Sequence, residues 1–86
     1  IVYSGTGGYG GHGMYISTAT SGANITVKNN SIANMSGDGW SYTSIPLDNP
    51  IGIVATGAQT GINIYNNSIN LYGNTLNKAS AMSMGV

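Results

Sequence analysis

The chain has 86 residues, enough for one small domain that buries only about 60% of its unfolded surface, so a large enclosed active site is not expected. Its charged side chains are Lys28, Lys78, Asp38 and Asp48, 5% of the sequence against roughly 25% in an ordinary soluble domain. Two widely spaced lysines cannot neutralise a run of phosphates, which excludes a nucleic-acid binder of the usual kind, and the absence of cysteine excludes a disulfide framework and a thiolate metal site.

A formal net charge of zero favours association over a highly soluble monomer. No run of 18 apolar residues is present, so no membrane span is expected, and no basic segment followed by an apolar one reads as a retained signal peptide. The first residue is Ile1, which leads us to expect a processed chain or a segment of a longer one, in an exported setting.

In chain order, Val2-Tyr3-Ser4-Gly5 looks like the tail of a repeat, followed by a glycine-rich stretch, residues 5–12, that holds Tyr9 and His12. Gly13-Met14-Tyr15-Ile16 then alternates apolar and outward positions, as a half-buried strand does. Asn24-Ile25-Thr26-Val27-Lys28 is a second strand, Asn29-Asn30 a turn, and Ile32-Ala33-Asn34-Met35-Ser36-Gly37 holds a third. Residues 37–49 form a second variable stretch, with Asp38, Trp40, Tyr42 and Asp48.

The same order then recurs. Gly52-Ile53-Val54-Ala55 matches the first strand at a shift of 39 residues, and Gly61-Ile62-Asn63-Ile64-Tyr65-Asn66-Asn67-Ser68-Ile69 matches residues 24–32 at a shift of 37. The six residues 32–37 align with the five residues 69–73, which include Leu71. After a third variable stretch, residues 73–81, Gly85-Val86 looks like the start of a third copy at a further shift of 33.

Periods of this length mean a solenoid, a propeller or an array. Propeller blades need hairpins, and no Asn-Gly or Asp-Gly pair serves as a two-residue hairpin between these runs. Three short strands per coil, stacked coil on coil, are therefore expected over a single module, residues 1–86. Period-2 alternation predicts an inward core of Met14, Ile16, Ile25, Val27, Ile32, Ile53, Ile62, Ile64, Ile69 and Leu71. Asn29, Asn30, Asn66 and Asn67 are read as a structural turn ladder, because Asn tolerates the left-handed backbone region and its amide can bond along a stack. A competing reading is glycosylation, since Asn24, Asn29, Asn34 and Asn66 each open an Asn-x-Ser/Thr triplet; ladder positions are expected to be inaccessible to it.

The strings Gly52-Ile53-Val54-Ala55 and Ile62-Asn63-Ile64-Tyr65-Asn66-Asn67-Ser68-Ile69-Asn70-Leu71-Tyr72-Gly73 resemble the repeats of right-handed parallel β-helix proteins, the pectin-lyase-like superfold, and more narrowly are similar to exported surface proteins of Bacteroidetes-like bacteria. The resemblance implies an all-β, right-handed parallel β-helix (β-solenoid) at the cell surface or outside the cell. That superfold also hosts polysaccharide lyases, hydrolases and phage tailspikes, so the fold by itself does not assign a reaction.

A functional reading has to come from the variable stretches. Tyr9, His12, Asp38, Trp40, Tyr42 and Asp48 form a candidate glycan-binding loop set, because an aromatic ring beside hydrogen-bonding side chains matches the apolar face of a sugar. Catalysis is not expected: the two Asp are the only acidic side chains, no Arg is present and His12 stands alone. No Gly-x-Ser-x-Gly elbow occurs. Gly5, Gly7, Gly8, Gly10 and Gly11 have the look of a phosphate loop but lack its Lys and following helix, and the threonines Thr18, Thr20, Thr56 and Thr60 are too irregular for a crystal-binding array.

No cofactor and no metal site are expected. With about two coils and no charged cap, the strand edges invite either further coils of the same polypeptide or a second copy. The expected function is a structural, non-catalytic module that stacks into a filament or belongs to a surface fibre or adhesin, with surface glycans as a further partner. The alternative is a carbohydrate-binding or carbohydrate-processing β-helix.

Overall fold

The computed structural model describes residues 10–37, 39, 49–58, 60–71, 76 and 83–86. Its six strands are β1 (His12–Thr18), β2 (Ile25–Lys28), β3 (Ser31–Met35), β4 (Ile51–Gly57), β5 (Ile62–Tyr65) and β6 (Ser68–Leu71). Among the described residues there is no helix and strand predominates, as the all-β reading expects.

Each strand pairs in parallel with its counterpart one repeat later, giving three two-stranded sheets, β1 with β4, β2 with β5 and β3 with β6. The register sets Met14 on Ile53 and Ile16 on Ala55, Ile25 on Ile62 and Val27 on Ile64, and Ile32 on Ile69. Like side chains therefore lie over like side chains, and the inward row of one strand continues on the next. The ladder of β4 goes further: Met84 forms a parallel bridge with Ile51, and Gly52 and Ile53 donate to the carbonyls of Met84 and Gly85, both at 2.9 Å.

Local chemistry explains where β2 and β5 stop. Asn24 and Asn29 flank β2 with φ of 54° and 58°, while Gly61 and Asn66 flank β5 with φ of 83° and 53°. Left-handed backbone costs about 1–2 kcal/mol for most residues, and Asn and Gly are the ones that visit it routinely. Both strands are thus four residues long because a residue able to bend the chain stands at each end.

The one-residue length difference between residues 32–37 and 69–73 falls at Asn34. Ala33 pairs with Asn70 and Met35 with Leu71, so Asn34 is an extra residue on β3, and its φ of 58° has the left-handed character of a bulge.

The inward positions are graded in burial. Val27, Met35, Ile51, Ile53 and Val54 are buried, while Met14, Ile16, Ile25, Ile32, Ile62, Ile64, Ile69 and Leu71 are half-buried. Strict alternation holds in β1 but fails in β4, where all of residues 51–54 are buried. Val54 is buried although its register partner Tyr15 is exposed. β4 has a parallel neighbour on both sides, β1 and the Met84–Gly85 rung, and a strand so enclosed reads as a continuous apolar run.

Glycine at the start of β1 and β4 is required by close approach. A side chain on Gly13 would collide with Ile32 and with the carbonyl oxygen of Gly52; one on Gly52 would meet Ile69 and the carbonyl oxygen of Gly85. The same two contacts thus recur one rung apart, an Ile of the third strand packing over each glycine.

Candidate functional site

Of the candidate glycan-binding set, His12 lies in β1, half-buried, with its ring stacked on Tyr15 at a centroid separation of 5.8 Å and an interplanar angle of 27°. Tyr9, Asp38, Trp40, Tyr42 and Asp48 lie outside the described residues. Of the charged side chains only Lys28 is described; it is exposed at the end of β2, in register with Tyr65. Among the described residues no group of three His, Cys, Asp or Glu is placed to hold a metal ion, and no helix is long and apolar enough to cross a membrane.

The most specific polar geometry in the described chain is the double asparagine turn. Asn29 and Asn66 take the left-handed backbone and are exposed, and the Asn29 N–H donates to the Asn66 carbonyl at 3.1 Å. Asn30 and Asn67 are half-buried and carry the amide bonding. Asn67 Oδ1 accepts from the Asn30 N–H at 3.0 Å and from Asn30 Nδ2 at 2.9 Å, while Asn67 Nδ2 donates to the Val27 carbonyl at 2.9 Å. Asn30 Nδ2 also donates to the Lys28 carbonyl at 3.2 Å, and the Ser68 N–H donates to the Asn30 carbonyl at 2.9 Å.

The pair therefore divides its work between two residues. The first bends the chain; the second spans the rungs and satisfies backbone groups that the bend takes out of the strand ladder. The side-chain bonds of the turn ladder are carried by Asn30 and Asn67, and the expectation that all these positions are inaccessible is corrected for Asn29 and Asn66, which are exposed.

This division predicts opposite responses to substitution. Asn67→Ala removes the acceptor of two donors and the donor to Val27, and should destabilise by about 1–3 kcal/mol, since polar groups left half-buried without partners carry their desolvation cost uncompensated. Asn66→Gly should be nearly neutral, because glycine adopts the same φ without strain. Urea midpoints compare the two; equal losses would mean the amide of Asn67 does not join the rungs.

A second polar corner lies between β1 and β2 and its counterpart between β4 and β5. The Ser21 and Thr60 hydroxyls are 2.8 Å apart, the Gly22 N–H donates to the Thr60 carbonyl at 2.9 Å and approaches Thr60 Oγ1 at 3.2 Å, and the Thr20 N–H donates to Thr18 Oγ1 at 3.0 Å. On the outer face of β1 and β4 the Thr56 hydroxyl donates to the Tyr15 hydroxyl at 3.3 Å. Sequence reading passed over this corner and the left-handed role of Asn24 and Asn34. The signal for Asn24 was present, because the 37-residue shift places it on Gly61, and a position occupied by Asn in one copy and Gly in the next marks positive φ.

Chemically, the described arrangement joins rungs: its polar atoms bond along the ladder direction, and its outward residues on β2 and β5 are Thr26, Lys28, Asn63 and Tyr65. Comparison with protein families, with curated proteins and with solved structures found no match in any of the three. The functional reading accordingly rests on the repeat itself.

Proposed function

We propose that this chain is a structural, non-catalytic module of a right-handed parallel β-helix, working outside the cell or at its surface, where it stacks end to end into a filament or forms part of a longer surface fibre or adhesin. The observation that carries the reading is the repetition of parallel rungs in one register: three strand pairs one repeat apart, with a third rung begun on β4 by Met84 and Gly85. A solenoid grows by repeating one such step. Among the described residues a side chain built on Gly85 would meet nothing within 4 Å, which leaves room over this rung for another, supplied by the same polypeptide or by a second copy. The scarcity of charge fits such a surface, since charged side chains on an edge oppose strand addition.

Head-to-tail stacking is a heterologous contact, which extends into a filament when its rotation does not close. Concentrated protein should therefore give fibres in the electron microscope, with a fibre-diffraction spacing of about 4.7–4.9 Å along the axis. A monodisperse 86-residue chain in light scattering at high concentration would remove self-stacking and leave the surface-fibre form of the proposal. The carbohydrate-binding alternative draws its support from Tyr15 on β1 and Tyr65 on β5, both about half exposed at 52% and 46%, Tyr65 on a face that also carries Lys28 and Asn63; a glycan array is the measurement for it.

A further inference from the structure

The four Asn-x-Ser/Thr triplets open at Asn24, Asn29, Asn34 and Asn66, and these four asparagines are also the described non-glycine residues with positive φ, 53° to 58°. All four are exposed. On the folded rungs a triplet is best suited to carry a glycan where the asparagine and its hydroxyl partner lie at the surface and the attached sugar has room.

These conditions separate the four. Asn34 is followed two residues on by Ser36, which at 7% exposed is the one buried hydroxyl residue of the four triplets. Asn29 and Asn66 have exposed partners, Ser31 and Ser68, but they occupy successive rungs joined by the 3.1 Å bond between them. At a rung spacing of about 4.8 Å a sugar on either crowds the other. Asn24 has an exposed hydroxyl partner in Thr26, and its counterpart on the next rung is Gly61, whose carbonyl accepts the Ile25 N–H at 2.9 Å and which has no side chain to obstruct a sugar. We propose that Asn24 is a site of N-linked glycosylation, its glycan projecting sideways from the turn before β2. The proposal rests on the exported setting of the proposed function and does not depend on stacking.

The co-reactant is an oligosaccharide linked to a polyprenyl diphosphate. A bond forms between Asn24 Nδ2 and the anomeric carbon, the bond from that carbon to the diphosphate oxygen breaks, the lipid diphosphate leaves with the electron pair, and the amide nitrogen gives up one proton to a base of the transferase.

The test is secretion of the chain from cells whose secretory pathway glycosylates a control glycoprotein, read by intact and peptide mass before and after peptide N-glycosidase. The expected result is one glycan, whose enzymatic release leaves aspartate at position 24. Asn24→Gly keeps the left-handed turn and should lose the glycan; Thr26→Val should also lose it with Asn24 intact, and Thr26→Ser should retain it. A chain secreted without sugar beside a modified control, or one modified only at Asn29, Asn34 or Asn66, overturns the proposal. A glycosylated chain that stays monomeric sinks self-stacking alone, and an unmodified chain that forms fibres sinks the glycan alone.

Discussion

Gly52→Ala should be among the most damaging single substitutions in this chain. The added methyl would lie 2.5 Å from Ile69 Cγ2 and 2.6 Å from the carbonyl oxygen of Gly85, and that oxygen is not at liberty to move, because it accepts the Ile53 N–H at 2.9 Å. Gly52 and Ile53 donate in succession to the same neighbour, which breaks the regular pleat at the glycine and turns its Cβ direction toward the next rung. Overpacking typically costs about 1–3 kcal/mol and more where neither partner yields; here one partner is a bonded backbone carbonyl. Gly22→Ala is the control, since a side chain there meets nothing within 4 Å and only its φ of 69° opposes it, at about 1–2 kcal/mol. Urea unfolding should show Gly52→Ala well below Gly22→Ala. The reverse order would mean that the rungs do not approach this closely at Gly52.

Ile53→Ala should produce the largest loss among the apolar truncations. Ile53 is 1% exposed, stands in register with Met14, and belongs to β4, which among the described residues has parallel partners on both sides. Burying an Ile and then deleting most of it costs about 2–5 kcal/mol, through lost transfer free energy and a cavity that bonded rungs cannot collapse to fill. Ile64→Ala should cost less, because Ile64 is half-buried and its site is already partly open to water. For a domain of this size each kcal/mol corresponds to about 4–8 °C in melting temperature, so the two variants should be well resolved by calorimetry. Equal shifts for Ile53→Ala and Ile64→Ala would place the centre of the core elsewhere than β4.

Ile64 and Ile53 sit in equally good alternating patterns, and nothing in either string ranks them. The ranking comes from the rung added by Met84 and Gly85, which encloses β4, while among the described residues β5 pairs with β2 alone.

What the sequence determined by itself is the pairing. A repeat at a shift of 37 with Asn-Asn-Ser-Ile in both copies leaves one register in which every Ile meets an apolar partner and every turn-forming residue meets its equivalent, and β2 with β5 and β3 with β6 adopt it from Ile25 to Ile32. A period-2 strand that slipped by one residue would turn its whole apolar row outward, so the pattern and the register are one constraint. The bends at Asn29 and Asn66 were legible because few residues accept positive φ and an Asn pair marks each turn, whereas those at Asn24 and Asn34 went unread.

Tertiary structure alone decided how each asparagine pair is used and which apolar residues are fully enclosed. Two adjacent asparagines are chemically identical in the string; only the backbone bend at Asn66 turns its side chain to solvent and brings the amide of Asn67 to Asn30 and Val27. Burial, likewise, is a property of neighbours: Val54 and Tyr15 occupy one register position, yet Val54 is 6% and Tyr15 52% exposed. Alternation specifies the face a side chain points to, whereas the number of rungs and segments packed around a strand, which no local pattern encodes, determines whether water can still reach that face.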